Sequence, residues 1–279
     1  GVEPDTAQIQ FVAELAANWV QLRKASNAEK RIAIILANYP NRDSRLGNGV
    51  GLDTPASVVK FLHRMQADGY DVGEIPEDGD ALIRELQAGI TNDEEQSYGK
   101  PIAQGISSEE LGQVLSGLPD SAQERLRRQW SEDADSGTKP NTTVPVAGMR
   151  LGNVFIGIQP QRGFGLQTQA IYHDPELAPP PNYFAFYHWI RTEFKAHALI
   201  HFGKHGNLEW LPGRSVALGP EDFPQSVLGP LPHLYPFIVN DPGEGTQAKR
   251  RTSAVIGDPL TPPLTRAGLY DALDRVERL

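Results

Sequence analysis

Residues 31–37, Arg-Ile-Ala-Ile-Ile-Leu-Ala, hold six consecutive apolar side chains between polar flanks. A run of that kind has no polar face to turn to water, so it predicts a strand buried on both sides, as in the interior of a parallel sheet. The neighbouring segments predict what packs around it. Ile9, Val12, Ala16 and Trp19, spaced by three, four and three, predict one apolar stripe on a helix from about 5 to 24, broken by Ser26 and Asn27. Thr54-Pro55 predicts an N-cap with proline at the first helical position; Val58, Phe61, Leu62 and Met65 form the helix's inner face, and Gly69 ends it. A return to the sheet at 71–75 would make 31–76 a β-loop-α-β unit.

Helical periodicity and a higher charge density mark 78–130, where Ser121-Ala-Gln-Glu124 fits a capping box ahead of Leu126. Residues 131–141 have almost nothing to bury and read as a linker. Strands are then expected at 153–158, 197–202 and 236–239, with an aromatic-rich helix over 183–195. Alternating strands and helices predict an α/β fold, a mostly parallel sheet flanked by helices in the Rossmann-like manner, with a helical insertion. The expected division is an N-terminal helix (1–30), a first β-α-β part (31–77), the insertion and linker (78–141) and the remainder of the α/β domain (142–279).

Composition narrows the function. Twenty-six Lys and Arg face 35 Asp and Glu, a net charge of −9, so no basic field exists to hold nucleic acid. The longest apolar run is far short of the ~20 residues that cross a bilayer, and residues 1–25 lack a signal-peptide core, which predicts a cytoplasmic protein without a membrane span. There is no cysteine, so thiolate metal sites, iron–sulfur clusters and cysteine nucleophiles are excluded and any metal falls to His, Asp or Glu.

Three of the seven histidines sit in His197-Ala-Leu-Ile-His201-Phe-Gly-Lys-His205-Gly-Asn-Leu-Glu209. Alternating apolar residues and two glycines favour a strand followed by a loop over a helix. His201 then ends a parallel strand while His205 and Glu209 lie in the loop beyond, where open α/β sheets bind ligands, and N/O ligands suited to a divalent transition metal converge. His197, and also His201, could instead be hydrogen-bonded packing residues, and Glu209 could merely cap a turn or pair with Arg214. The 47–51 glycines precede a helix N-terminus beside Arg42 and Arg45, which could fork onto carboxylate or carboxamide oxygens; a solvated loop reads equally well. Residues 241–251 follow a strand and enter a helix with Glu244 near its start and Lys249 a turn later, a site or simple capping.

Six segments together resemble a known family: 37–43 (Ala-Asn-Tyr-Pro-Asn-Arg-Asp), 51–57, 156–163 (Ile-Gly-Ile-Gln-Pro-Gln-Arg-Gly), 172–175, 201–213 (His-Phe-Gly-Lys-His-Gly-Asn-Leu-Glu-Trp-Leu-Pro-Gly) and 240–251. They are similar to the large subunit of aerobic cobaltochelatase, related to the porphyrin-binding large subunit of magnesium chelatase. The resemblance runs from about Arg31 to the end, with little contributed by 78–140. Family subunits are several times longer, so the chain resembles a central piece, with Gly1 a possible cloning remnant and the end at Arg278-Leu279 inside an expected helix.

The resemblance implies ATP-dependent insertion of Co²⁺, as substrate metal, into the corrinoid tetrapyrrole hydrogenobyrinic acid a,c-diamide on the way to cobalamin. ATP would be hydrolysed by partners, an AAA+ ATPase subunit and its co-subunit, in keeping with a sequence that lacks a P-loop. It assigns His201 and His205 to metal contact and Glu209 to proton abstraction or metal delivery. Arg42, Arg45, Gln159, Arg162, Asn207, Glu244 and Lys249 are assigned to the tetrapyrrole. Competing readings are a magnesium chelatase acting on protoporphyrin IX, a tetrapyrrole-binding or ATPase-docking module inactive alone, and a metallohydrolase with an open metal position.

Overall fold

The structure is a computed structural model that describes residues 3–38, 43, 46–49, 52–130, 142–162, 176–203, 206–236 and 242–257. The apolar run forms β1 (Ile32–Leu36), every residue of it buried. Short β2 (Asn48–Gly49) and β3 (Leu52–Asp53) pair in a hairpin, and β4 (Gly105–Ser107) pairs antiparallel with β5 (Thr143–Pro145). The remaining strands, β6 (Gly148–Leu151), β7 (Val154–Ile158), β8 (Ala198–Phe202), β9 (His233–Pro236) and β10 (Val255–Gly257), join β1 in one sheet of order β10-β9-β8-β1-β7-β6. Successive pairs from β10 to β7 are parallel, and only the edge strand β6 runs antiparallel, to β7. The expected α/β class with a mostly parallel sheet is therefore what the chain adopts.

Strand alternation divides the core. Ile32, Ile34, Leu36, Val154, Ile156, Ala198 and Ile200 pack on one face with Val58, Leu62 and Met65 of α2 (Thr54–Ala67) and Leu82 and Leu86 of α3 (Gly79–Ala88). Ala33, Ile35, Phe155 and Leu199 face the other way, against α7 (Pro181–Thr192) and Phe223 and Val227 of α8 (Phe223–Leu228). That second core also takes Leu111 of α5 (Ser108–Ser116) and Ala122 and Leu126 of α6 (Asp120–Gln129), while α4 (Glu94–Ser97) is a single turn. The stretch expected to be helical, 78–130, thus contributes side chains to both cores through its helices and β4; residues 131–141 lie outside those described.

Several local expectations are corrected. Asp53, not Thr54, caps α2, accepting from Ala56 N at 3.1 Å, and Thr54 is buried as the first helical residue. Residues 71–75 are not a strand: Asp71 C=O accepts from Asn153 N (2.9 Å) at the β6–β7 turn and Val72 is buried there, so β1 pairs instead with β7 and β8. The capping box at 121–124 does not form; α6 starts at Asp120, and Glu124 pairs with Arg128 one turn on. The strand expected at 236–239 is His233–Pro236, with 237–239 outside the described residues. In α1 (Thr6–Lys24), Phe11, Leu15, Asn18, Trp19 and Leu22 are half-buried, whereas Ile9 and Val12 are 57% and 62% exposed and Ala16 is exposed too, so of the expected stripe only Trp19 turns inward and the covered face is rotated from the rest. Among the described residues no helix is long and apolar enough to cross a membrane.

Candidate active site

Parallel strands end on a common edge, and here that edge carries polar side chains that are almost wholly buried. The last turn of β7 leads into Gln159, whose N–H is held by Leu36 C=O at the end of β1 (2.9 Å) and whose C=O accepts from Asn92 (2.8 Å). On β8, His201 shares a rung with Ile35 and, through it, with Gly157 of β7. His233 and Tyr235 of β9 alternate with Leu234, which puts both on the same face as His201. From the opposite layer, Tyr183 and Tyr187 stand one turn apart on α7 and bring their hydroxyls down onto the edge. The loop after β8 turns through a 3-10 segment, Leu208–Trp210, placing Asn207 and Glu209 beside them, both buried.

These groups are hydrogen-bonded to one another. Thr252 Oγ1 lies 3.0 Å from His233 Nδ1, His233 Nε2 2.9 Å from His201 Nδ1, and His201 Nε2 2.9 Å from the Tyr187 hydroxyl. Gln159 Nε2 reaches Tyr187 at 3.3 Å and Tyr183 at 3.5 Å, and Tyr183 donates to Asn207 Oδ1. Tyr235 donates to Glu209 Oε1 at 3.2 Å and accepts from Gly206 N. The loop is pinned from behind by Arg251, whose guanidinium donates to the carbonyls of Glu209 (2.7 Å), Leu211 (2.8 Å), Gly213 (2.9 Å) and Arg214 (3.0 Å). Arg251 closes α9 (Pro242–Arg251), whose first turn holds Glu244.

Burial sets the protonation. It lowers His201 well below the usual imidazole range, helped by His233, and lowers His233 to about 4, so both rings are neutral near pH 7. It raises the phenols of Tyr183, Tyr187 and Tyr235, each further raised by the nearby Glu209 charge, so all three remain proton donors. A neutral imidazole with one lone pair, a carboxylate and two amides, all buried, can accept protons, offer ligands to a cation and hold polar substituents of a ligand.

Of the residues singled out in the sequence, Gln159, His201, Asn207 and Glu209 converge here. Glu209 does not pair with Arg214, which turns to Glu221 (2.7 Å) and Asp222 (2.8 Å). Arg162 is fully buried and donates to Leu177 C=O (3.0 Å). Glu244 is half-buried close enough to Tyr235 to raise its phenol, whereas Lys249 is exposed in the last turn of α9. His197 sits at the opposite end of β8, accepting from Arg31 N at 2.9 Å, a packing role. Arg42, Arg45 and His205 lie outside the described residues. Among those described, no group of three or more His, Cys, Asp or Glu is placed to hold a metal. Sequence reading missed His233, Thr252, the three tyrosines and Arg251; the four-residue spacing of Tyr183 and Tyr187 and the His-x-Tyr alternation at 233–235 were the available signals.

Fold and site together define an α/β domain that gathers a buried imidazole, carboxylate and amide cluster at the carboxyl edge of its parallel sheet. The chain belongs to the CobN/Magnesium Chelatase family, whose pattern matches residues 1–279. It is 52% identical over 281 residues to the aerobic cobaltochelatase subunit CobN of Sinorhizobium sp, covering 100% of this chain and 22% of that protein. It is 35% identical over 282 residues to a magnesium-chelatase subunit of Chlorobaculum parvum, with 100% and 22% covered. Among solved structures, the catalytic subunit of cobaltochelatase from Mycobacterium tuberculosis superposes with a TM-score of 0.80 at 39% identity, covering 99% of this chain and 23% of that one. The chain thus spans about a fifth of the length of these relatives.

Proposed function

We propose that this chain is the part of a cobaltochelatase large subunit in which a corrinoid tetrapyrrole, hydrogenobyrinic acid a,c-diamide, receives Co²⁺. The observation that carries the reading is the buried cluster of Gln159, His201, Asn207 and Glu209 at the sheet edge, in a chain half-identical to cobaltochelatase subunits. Insertion replaces ring N–H protons by the metal, so the reaction needs a base for those protons and ligands to take over from the ion's water shell. Glu209 is the base or the group that hands over the metal, and its buried carboxylate is oriented by Tyr235. His201 Nε2, with His205 from the same loop, meets the ion. Gln159 and Asn207 amides, with Arg42 and Arg45, engage the peripheral acids and amides of the ring, which suit bidentate donors. Arg162, Glu244 and Lys249 are second candidates for that edge.

ATP is consumed by an AAA+ partner and its co-subunit, which drive this subunit in the cytoplasm. A magnesium chelatase is the alternative, favoured by the family's other branch; the higher identity to cobalt subunits, 52% against 35%, and the use of imidazole weigh against it. The test supplies the full-length subunit, its partners and ATP with either Co²⁺ and the corrinoid or Mg²⁺ and protoporphyrin IX. Cobalt insertion alone is expected; magnesium insertion would overturn the cobalt assignment, and neither would leave a binding or docking module.

A further inference from the structure

We propose that His233 and Thr252 are positioning residues that hold His201 in its Nδ1–H tautomer, keeping the Nε2 lone pair turned toward Tyr187 and the site. This rests on the role proposed above for His201. The assignment follows the protons along the chain of contacts, starting where only one direction is open. Thr252 Oγ1 lies 2.8 Å from Ala248 C=O, a separation that requires a proton between the oxygens, and a carbonyl has none to give. The threonine hydroxyl therefore donates to Ala248 and can only accept from His233 Nδ1 at 3.0 Å. With its proton on Nδ1, the neutral His233 ring offers a bare Nε2, which accepts at 2.9 Å from Nδ1–H of His201. That leaves His201 Nε2 bare in turn, accepting from the Tyr187 hydroxyl at 2.9 Å.

The next links agree. Having given its proton to His201, the Tyr187 oxygen accepts from the Gln159 amide at 3.3 Å, and that amide also donates to Tyr183, which donates to Asn207. Every proton from Ala248 to Asn207 is assigned without two donors or two acceptors meeting. A free imidazole divides between two tautomers; here a backbone carbonyl on α9, two side chains away, selects one. The selected form presents the nitrogen that can take up a ring proton or ligate an ion once Tyr187 swings aside.

The test is made on the full-length subunit labelled with ¹⁵N-histidine, with His201 identified by difference from His201→Asn, using solid-state ¹⁵N spectra in which protonated and bare ring nitrogens are widely separated. Wild type should show His201 protonated at Nδ1; protonation at Nε2 overturns the proposal outright, without need of a variant. Thr252→Val keeps shape but removes the acceptor, so His233 and His201 should lose the single tautomer, and Thr252→Ser should restore it. A Thr252→Val spectrum identical to wild type also overturns the proposal. Metal insertion with partner subunits should fall ~10–100-fold in Thr252→Val, the usual effect of losing such an outer support, and recover in Thr252→Ser. A changed tautomer with undiminished insertion would leave the tautomer assignment standing and overturn the role given to His201.

Discussion

Replacing Gly157 by alanine puts a methyl group where β7 meets α7. A Cβ at this position would stand 2.7 Å from a ring carbon of Phe155, 2.7 Å from a ring carbon of Phe186 and 3.0 Å from Ile35 Cδ1. Unbonded carbons rest at about 3.5–4.0 Å, so both ring contacts are too short by ~0.8 Å or more. Neither ring has room to retreat, since Phe155 and Phe186 are buried and packed on each other at 6.2 Å between centroids. Overpacking of this kind costs about 1–3 kcal/mol, and the ~0.5–1 kcal/mol that alanine gains over glycine in a strand offsets only part of it. We expect a net loss of about 1–2 kcal/mol, read as a lower urea midpoint at unchanged m. If α7 moves out to relieve the clash, the 2.9 Å contact between Tyr187 and His201 stretches past hydrogen-bond range, so the same variant should insert metal poorly. Gly112→Ala is the control: mid-helix in α5, its Cβ would meet nothing within 4 Å, and it should stabilise by ~0.5–1 kcal/mol. Gly157→Ala as stable as wild type, beside a control that behaves, would refute the packing argument.

Two further outcomes follow from the loop behind the site. Arg251→Met should strip four backbone carbonyls of their shared donor, cost about 2–4 kcal/mol, and speed amide exchange across 208–214 ahead of the rest of the chain; uniform protection there would contradict the anchoring role. Burial tends to raise the Asp222 carboxyl, but donors from Gly219 N–H and Arg214 outweigh it and hold the group below its usual value. Its stabilising contribution is therefore complete above the unfolded pKa of about 3.9 and lost as pH falls through the lower folded value. The stability gap between wild type and Asp222→Asn should be constant from pH 7 to about 4.5 and narrow in more acid solution; a gap that widens there would reverse the sign argued.

What the sequence showed plainly was whatever apolar side chains alone decide. Five of six apolar residues in a row became β1, and the spacing of Val58, Leu62 and Met65 became the buried face of α2. The failures share a cause. His233-Leu-Tyr235-Pro does not look like a buried strand, because His233 and Tyr235 are buried by hydrogen bonds to Thr252, His201 and Glu209, partners distant in sequence. The more apolar residues just after it drew the expected start of the strand three positions too late. In α1, two apolar stripes compete, and only tertiary contact, such as Asn18 donating to Pro230 C=O at 2.6 Å, decides which faces inward. The candidate site was half legible: the loop signature gave His201, Asn207 and Glu209, but the tyrosines that orient them read as ordinary core aromatics.

The central claim is that Glu209 carries out chemistry in metal insertion and does not simply hold the loop, and Glu209→Gln tests it most directly. Glutamine keeps the size and can still accept from Tyr235, but it cannot take up a proton from the ring. Made in the full-length subunit and assayed with its ATPase partners, Co²⁺ and corrinoid, the variant should bind the tetrapyrrole as wild type does and lose insertion by ~10²–10⁴-fold, the usual weight of a general base. A folded Glu209→Gln subunit that binds the ring and inserts cobalt at a near-normal rate would contradict the account.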